Sequence, residues 1–170
     1  IDGLKSEGIV YKGILYAGLM IKDNEAKVVE FNARFGDPET QVVLPKLKSD
    51  LFDIFMAITD EKLDQVDIEW SDDATVCVVL AADGYPGSYE KNKLITGIES
   101  AEQKGLLVYH AGTVEKDGQI YTSGGRVLNV VAKAPTIKDA VDKVYKDIDE
   151  IKFENKFYRK DIAHRALNRK

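Results

Sequence analysis

Glu30, Asn32 and Arg34 alternate along Lys27-Val28-Val29-Glu30-Phe31-Asn32-Ala33-Arg34, a run that reads as a β-strand. Successive strand side chains point to opposite faces. The spacing therefore predicts Glu30, Asn32 and Arg34 on one face, with Val29, Phe31 and Ala33 on the other. A carboxylate, an amide oxygen and a guanidinium in one row suit a hard metal ion beside a phosphate. Mg²⁺ prefers oxygen ligands, and the planar fork of arginine grips phosphoryl or carboxyl oxygens. The bland alternative is a solvated sheet face. Phe35-Gly36-Asp37-Pro38-Glu39 shifts the balance, because it sets a glycine and an expected helix N-terminus directly after the row. Helix N-termini favour anions through free N–H groups and the positive end of the dipole.

Other residues carry two readings each. Asp37 is expected to cap the helix, worth about 1 kcal/mol, and Glu39 to be an acid of its first turn. Either also suits a substrate ammonium group. Arg126 follows Gly124-Gly125, which allow close backbone approach. This suits a pocket for a substrate phosphate, and equally a turn before a strand. His110 and His164 lack spaced His or Cys companions, so a structural role is expected for each. Cys77, the single cysteine, lies in Val76-Cys77-Val78-Val79-Leu80 and is expected to be a buried structural thiol.

These residues need elements to hold them. Ile14 to Ile21 is an apolar strand candidate, and Lys22 to Ala26 is turn-like, so Lys27 to Arg34 returns as the second arm of an antiparallel hairpin. Asp37-Pro38-Glu39 predicts a helix start, continued by Gln41 to Leu44 and stopped by Pro45. Ser49-Asp50 is expected to cap a second helix, Leu51 to Thr59, with an apolar face of Leu51, Phe52, Ile54, Phe55 and Ile58. A boundary is expected near Asp60-Glu61-Lys62.

Beyond it the chain is β-rich. Thr75 to Ala82 predicts a central strand. Gly84-Tyr85-Pro86-Gly87-Ser88 predicts a loop. Leu106 to Val114 predicts one strand, Lys116-Asp117-Gly118-Gln119 a hairpin turn into Ile120 to Thr122, and Arg126 to Val131 a further strand. Thr136 with Asp139 resembles a capping box. Ile137, Ala140, Val141, Val144, Tyr145, Ile148 and Ile151 follow at helical spacing on a packing face. Asp161 to Arg169 predicts a short terminal helix.

Composition narrows the class. With 170 residues, 44% hydrophobic and 31% charged, the chain holds one domain or two small ones of a soluble globular protein. A net charge of −5 without a basic patch argues against nucleic acid as a partner. No apolar run approaches the ~20 residues that span a bilayer, and no signal peptide is visible. The cell interior, the cytoplasm, is the expected compartment. The first residue is Ile rather than Met, so the chain is expected to be part of something longer.

Several motifs together resemble one family. Tyr11-x-Gly13-x-Leu15-Tyr16-Ala17-Gly18-Leu19-Met20, then Glu30-Phe31-Asn32-x-Arg34-Phe35-Gly36-Asp37-Pro38-Glu39-Thr40-Gln41, is similar to the glycinamide ribonucleotide synthetases (phosphoribosylamine–glycine ligases), ATP-grasp enzymes of purine biosynthesis. The likeness continues through Gly84-Tyr85-Pro86-Gly87-Ser88-Tyr89, His110-Ala111-Gly112-Thr113, Gly124-Gly125-Arg126-Val127-Leu128 and Phe157-Tyr158-Arg159-x-Asp161-Ile162-x-His164-Arg165-Ala166. The E-x-N spacing alone is shared across ATP-grasp enzymes. The arginine-to-glutamine block with the later motifs is specific.

The resemblance implies a ligase joining glycine to 5-phosphoribosylamine through glycyl phosphate, with ATP converted to ADP and phosphate. Glu30 and Asn32 match the family's Mg²⁺ (or Mn²⁺) ligands. Arg34 would steady the transferring group as the catalytic residue. Asp37, Glu39 and Arg126 would bind substrate. The fold class implied is α+β: residues 1–60 the C-terminal part of an ATP-grasp domain, with antiparallel strands plus helices, and 61–170 a small β-rich C-terminal domain with a packed helix. Its partners would be glycine, 5-phosphoribosylamine, ATP and the N-terminal domains of the same polypeptide, without which the chain would be inactive. One departure stands out. The strand before E-x-N holds no acid, so a second metal lacks an obvious ligand. Another ATP-grasp ligase or carboxylase, or a non-catalytic binding module, are the rival readings.

Overall fold

The computed structural model describes residues 1–168. The chain divides into two compact units, Ile1–Thr40 with Leu47–Ser71, and Gln41–Lys46 with the residues from Asp72 onward. Helices and antiparallel strands are mixed throughout, as the α+β expectation has it.

The first unit opens with a short helix, α1 (Asp2–Ser6), and then the hairpin β1 (Tyr16–Lys22) and β2 (Glu25–Asn32). The hairpin is as predicted, but its bounds differ. Asp23 and Asn24 turn it with φ of 52° and 63°, the left-handed backbone a two-residue turn requires. β2 ends at Asn32, so Arg34 lies in the bend beyond the strand rather than in its row.

The pairing slips by one residue between Gly18 and Leu19. Leu19 faces Val28 while Gly18 faces Glu30, which leaves Val29 as the extra residue of a bulge. The slip sorts the two faces. One carries Tyr16, Gly18, Met20, Lys27, Glu30 and Asn32; the other carries Ala17, Leu19, Ile21, Val28 and Phe31. An unbulged register would have set Glu30 among the apolar side chains.

The helix expected from Asp37 begins later, at α2 (Thr40–Val43), and a 3-10 turn follows at Leu44–Lys46. Asp37-Pro38-Glu39 is a turn, and α2 starts three residues after Asp37 rather than directly at it. Local closure wins instead, because both the backbone N–H and the hydroxyl of Thr40 donate to Gly36 O. A single helical turn also has little dipole to offer an anion. α3 (Leu51–Thr59) has the expected cap: Asp50 accepts from Phe52 N at 2.7 Å. Its apolar face is narrower than expected, since Ile54 and Ala57 are buried while Phe52 is exposed.

The second unit is built on β3 (Ala74–Ala82), which takes the central place predicted for it. After it come β4 (Leu94–Ile95), α4 (Ile98–Gln103), β5 (Leu107–His110), β6 (Thr113–Lys116), β7 (Gln119–Thr122) and β8 (Arg126–Ala134). α5 (Ile137–Asp147), β9 (Lys156–Phe157) and α6 (His164–Leu167) complete it. The strands form a four-stranded sheet, β5-β8-β3-β9, and a three-stranded sheet, β4-β7-β6, every pair antiparallel.

Leu106 to Val114 is therefore two strands in two sheets. The chain turns the corner at Ala111-Gly112, which are tied to Val127 O and Arg126 O at 3.0 and 2.8 Å. The Asp117-Gly118 turn forms as predicted, and Thr136 caps its helix by accepting from Asp139 N at 3.1 Å, while the Asp139 carboxylate accepts from the Thr136 hydroxyl at 2.7 Å. Val76, Val78, Leu80, Leu128 and Val130 make the core with Ala140, Val144, Ile148 and Ile151 from α5 and the turn after it. The terminal helix is one turn, His164–Leu167, and Arg169 lies outside the described residues. Among the described residues no helix is long and apolar enough to cross a membrane.

Candidate functional site

Alternation along β2 sets Glu30 and Asn32 on one face, and the bulge at Val29 brings that face into register with Tyr16 and Gly18. Asn32 Nδ2 donates to Glu30 Oε1 at 2.9 Å, so the two head groups meet on one face of β2, with Glu30 exposed and Asn32 half-buried. Glycine opposite Glu30 makes the room: a Cβ on Gly18 would come 3.2 Å from Glu30 Cγ. A half-turn of the Asn32 amide exchanges its nitrogen for Oδ1, and both side chains then offer oxygen to one cation. Among the described residues no group of three or more His, Cys, Asp or Glu is placed to hold a metal. Two protein oxygens still fit Mg²⁺, which keeps waters and completes its shell with substrate phosphates.

Tyr16 stands opposite Asn32 on the same face. Burial first, and then the charge of Glu39 and a hydrogen bond to it, push the Tyr16 phenol above its ordinary range, with Glu30 adding to the effect. The phenol is thus close enough to feel both Glu39 and Glu30. Glu39 folds back over Gly36, where an added Cβ would meet its Oε2. Residue type alone does not mark Tyr16; its signal is the hairpin register that sets it opposite Asn32.

Arg34 is exposed, and its Nη1 donates to Phe35 O at 2.9 Å. Asp37 is exposed in the turn. Glu30, Asn32, Arg34, Asp37 and Glu39 all belong to the first unit, whereas Arg126 opens β8 in the second, half-buried. His110 is exposed and bonds Thr113 Oγ1 through Nδ1 at 2.8 Å, and His164 is exposed in α6. Cys77 is half-buried rather than buried, with its Sγ 4.0 Å from Asn129 Oδ1.

The carboxylate–amide pair, the exposed guanidinium and the glycine-bearing acidic turn follow one another within ten residues, in the part of the chain that matches an ATP-grasp domain. Residues 1–40 match the family model described as phosphoribosylglycinamide synthetase, ATP-grasp (A) domain. Residues 75–165 match phosphoribosylglycinamide synthetase, C domain. The chain belongs to the phosphoribosylglycinamide synthetase family. It is 54% identical over 163 residues to a phosphoribosylamine–glycine ligase of Caldanaerobacter subterraneus subsp. tengcongensis, covering 96% of this chain and 39% of that protein. It is 49% identical over 168 residues to the trifunctional purine biosynthetic protein adenosine-3 of Gallus gallus, covering 98% of this chain and 17% of that protein. The crystal structure of phosphoribosylamine–glycine ligase from Thermotoga maritima superposes with a TM-score of 0.76 at 37% identity, over 94% of this chain and 39% of the other. The chain thus spans well under half the length of these relatives.

Proposed function

We propose that this chain supplies the metal-and-phosphate strand and the C-terminal domain of an ATP-dependent ligase joining glycine to 5-phosphoribosylamine in the cytoplasm. Residues 1–60 belong to its ATP-grasp domain and 61–170 to its small C-terminal domain. The observation that carries the reading is the Glu30–Asn32 pair, aligned on one strand face and followed at once by Arg34 and the Gly36–Glu39 turn.

A carboxylate is a poor acylating agent until one oxygen becomes a phosphate leaving group. The carboxylate oxygen of glycine attacks the γ-phosphorus of ATP, the bond to the β–γ bridging oxygen breaks, and ADP departs. The amine nitrogen of phosphoribosylamine then attacks the glycyl carbonyl, and inorganic phosphate leaves with an oxygen that began on glycine. Catalysis of such steps is mostly positioning and charge neutralisation.

Glu30 and Asn32 would hold Mg²⁺ or Mn²⁺, whose charge offsets that of the ATP phosphates. Arg34 exchanges its bond to the uncharged carbonyl of Phe35 for a grip on the anionic oxygens of the transferring phosphoryl or acyl phosphate. Asp37 and Glu39 orient the ammonium of glycine or the incoming amine, and Arg126 holds the phosphate of phosphoribosylamine. The test is ADP release by the ligase polypeptide that carries these residues. Release is expected to require glycine, phosphoribosylamine and a divalent cation together. Equal release without glycine would contradict the assignment.

A further inference from the structure

The reaction above leaves the Gly84-Tyr85-Pro86 loop without a role, yet that loop is locked onto the strand start that bears Arg126. The Tyr85 ring lies on the backbone of Gly125: a Cβ added there would fall 2.0 Å from Tyr85 Cδ2 and 2.7 Å from Cε2. Two backbone bonds hold the pieces together, Ala82 N to Gly125 O at 2.8 Å and Tyr85 N to Ala82 O at 3.1 Å. Tyr89 meets the ring nearly edge-on, with centroids 6.0 Å apart and planes at 67°. Supported by Gly125 and Tyr89, the ring nonetheless stays 42% exposed. A tyrosine filling core would be covered. This one is anchored on Gly125, the residue before Arg126, and left partly open.

We propose that Tyr85 is a specificity-determining residue, its exposed face stacking on the pentose of a phosphorylated sugar whose phosphate is gripped by Arg126. The inference rests on the reading of Arg126 as the phosphate contact for 5-phosphoribosylamine. The chemistry is complementary. A furanose presents C–H bonds on one face, and the face of an aromatic ring carries the partial negative charge that attracts them. The guanidinium fork binds phosphate in two-point fashion. Gly125 then has a stated purpose: without a Cβ, it makes room for the Cδ2 edge of the ring at the residue before Arg126.

The test compares Tyr85→Leu, Tyr85→Phe and Gly125→Ala in the ligase polypeptide carrying this chain. Tyr85→Leu keeps an apolar cover over Gly125 but removes the flat ring. It is expected to raise KM for phosphoribosylamine about tenfold, the scale of one aromatic contact, with KM for ATP and glycine little changed. Tyr85→Phe keeps the ring and is expected to match wild type. Gly125→Ala displaces the ring and is expected to act like Tyr85→Leu. An unchanged KM for phosphoribosylamine in Tyr85→Leu overturns the proposal. So does a parallel rise in all three KM values with a lower melting temperature, since that is loop packing alone. A wild-type protein lacking glycine- and phosphoribosylamine-dependent ADP release instead removes the reading of the reaction, and this inference with it.

Discussion

Glu30→Ala in the ligase polypeptide should lower metal-dependent turnover by about a thousandfold, the scale lost with one preorganised electrostatic group. Asn32→Ala should cost less, because the amide is neutral and Glu30 carries the only charge of the pair. Glu30 is exposed on a hairpin face, so the loss comes without a fall in melting temperature. The decisive variant is Glu30→Gln. It keeps the side-chain length and can still bond Asn32, whose amide meets Glu30 at 2.9 Å. If Glu30 serves by charge, Gln is as damaging as Ala, and raised Mg²⁺ partly restores both. Retained activity in Glu30→Gln would reduce the residue to a structural partner of Asn32. Steady-state ADP release against Mg²⁺ concentration measures the difference.

Gly97→Ala should be among the most damaging single-methyl additions to the second unit. Gly97 sits at φ +83°, and a Cβ there would fall 2.0 Å from Glu150 O and 2.8 Å from its carbonyl carbon. No flexible side chain stands in the way, only backbone. That backbone is pinned, since Thr96 and Lys152 exchange hydrogen bonds of 2.9 Å in both directions beside it. Gly118 is the control: its φ is +75°, yet nothing lies within 4 Å of an added Cβ. Gly118→Ala should therefore cost only the left-handed conformation, roughly 1 kcal/mol. Gly97→Ala adds the collision and should cost roughly 3 kcal/mol or more. Urea unfolding of the chain would show this as a lower midpoint at unchanged slope. Equal costs at the two positions would mean that the 96–97 and 150–152 segments part easily.

The elements legible in the sequence were those decided locally. β3 announced itself as a continuous apolar run, and Asp117-Gly118, Asp50 and Thr136 each carried their own turn or cap chemistry. The departures came where distant groups decide. Leu106 to Val114 looks like one strand because nothing local shows that Ala111 and Gly112 will be claimed by β8. Asp37 has the composition of a cap, but Thr40 closes on Gly36 first.

The candidate site was half legible for the same reason. Alternation along β2 paired Glu30 with Asn32 correctly. It could not show that the strand stops before Arg34, or that the bulge at Val29 turns Glu30 onto the face of Tyr16 and Gly18. Tyr85 on Gly125 joins residues 40 positions apart and was visible only once the strands were paired.

The most direct measurement of the proposed reaction follows an oxygen atom. Glycine labelled with ¹⁸O in both carboxylate oxygens is supplied to the ligase polypeptide with ATP, Mg²⁺ and phosphoribosylamine, and the released phosphate is analysed by mass. Activation of glycine by phosphoryl transfer predicts one ¹⁸O in each inorganic phosphate and one retained in the amide product. Phosphate free of label, with both heavy atoms elsewhere, would contradict it.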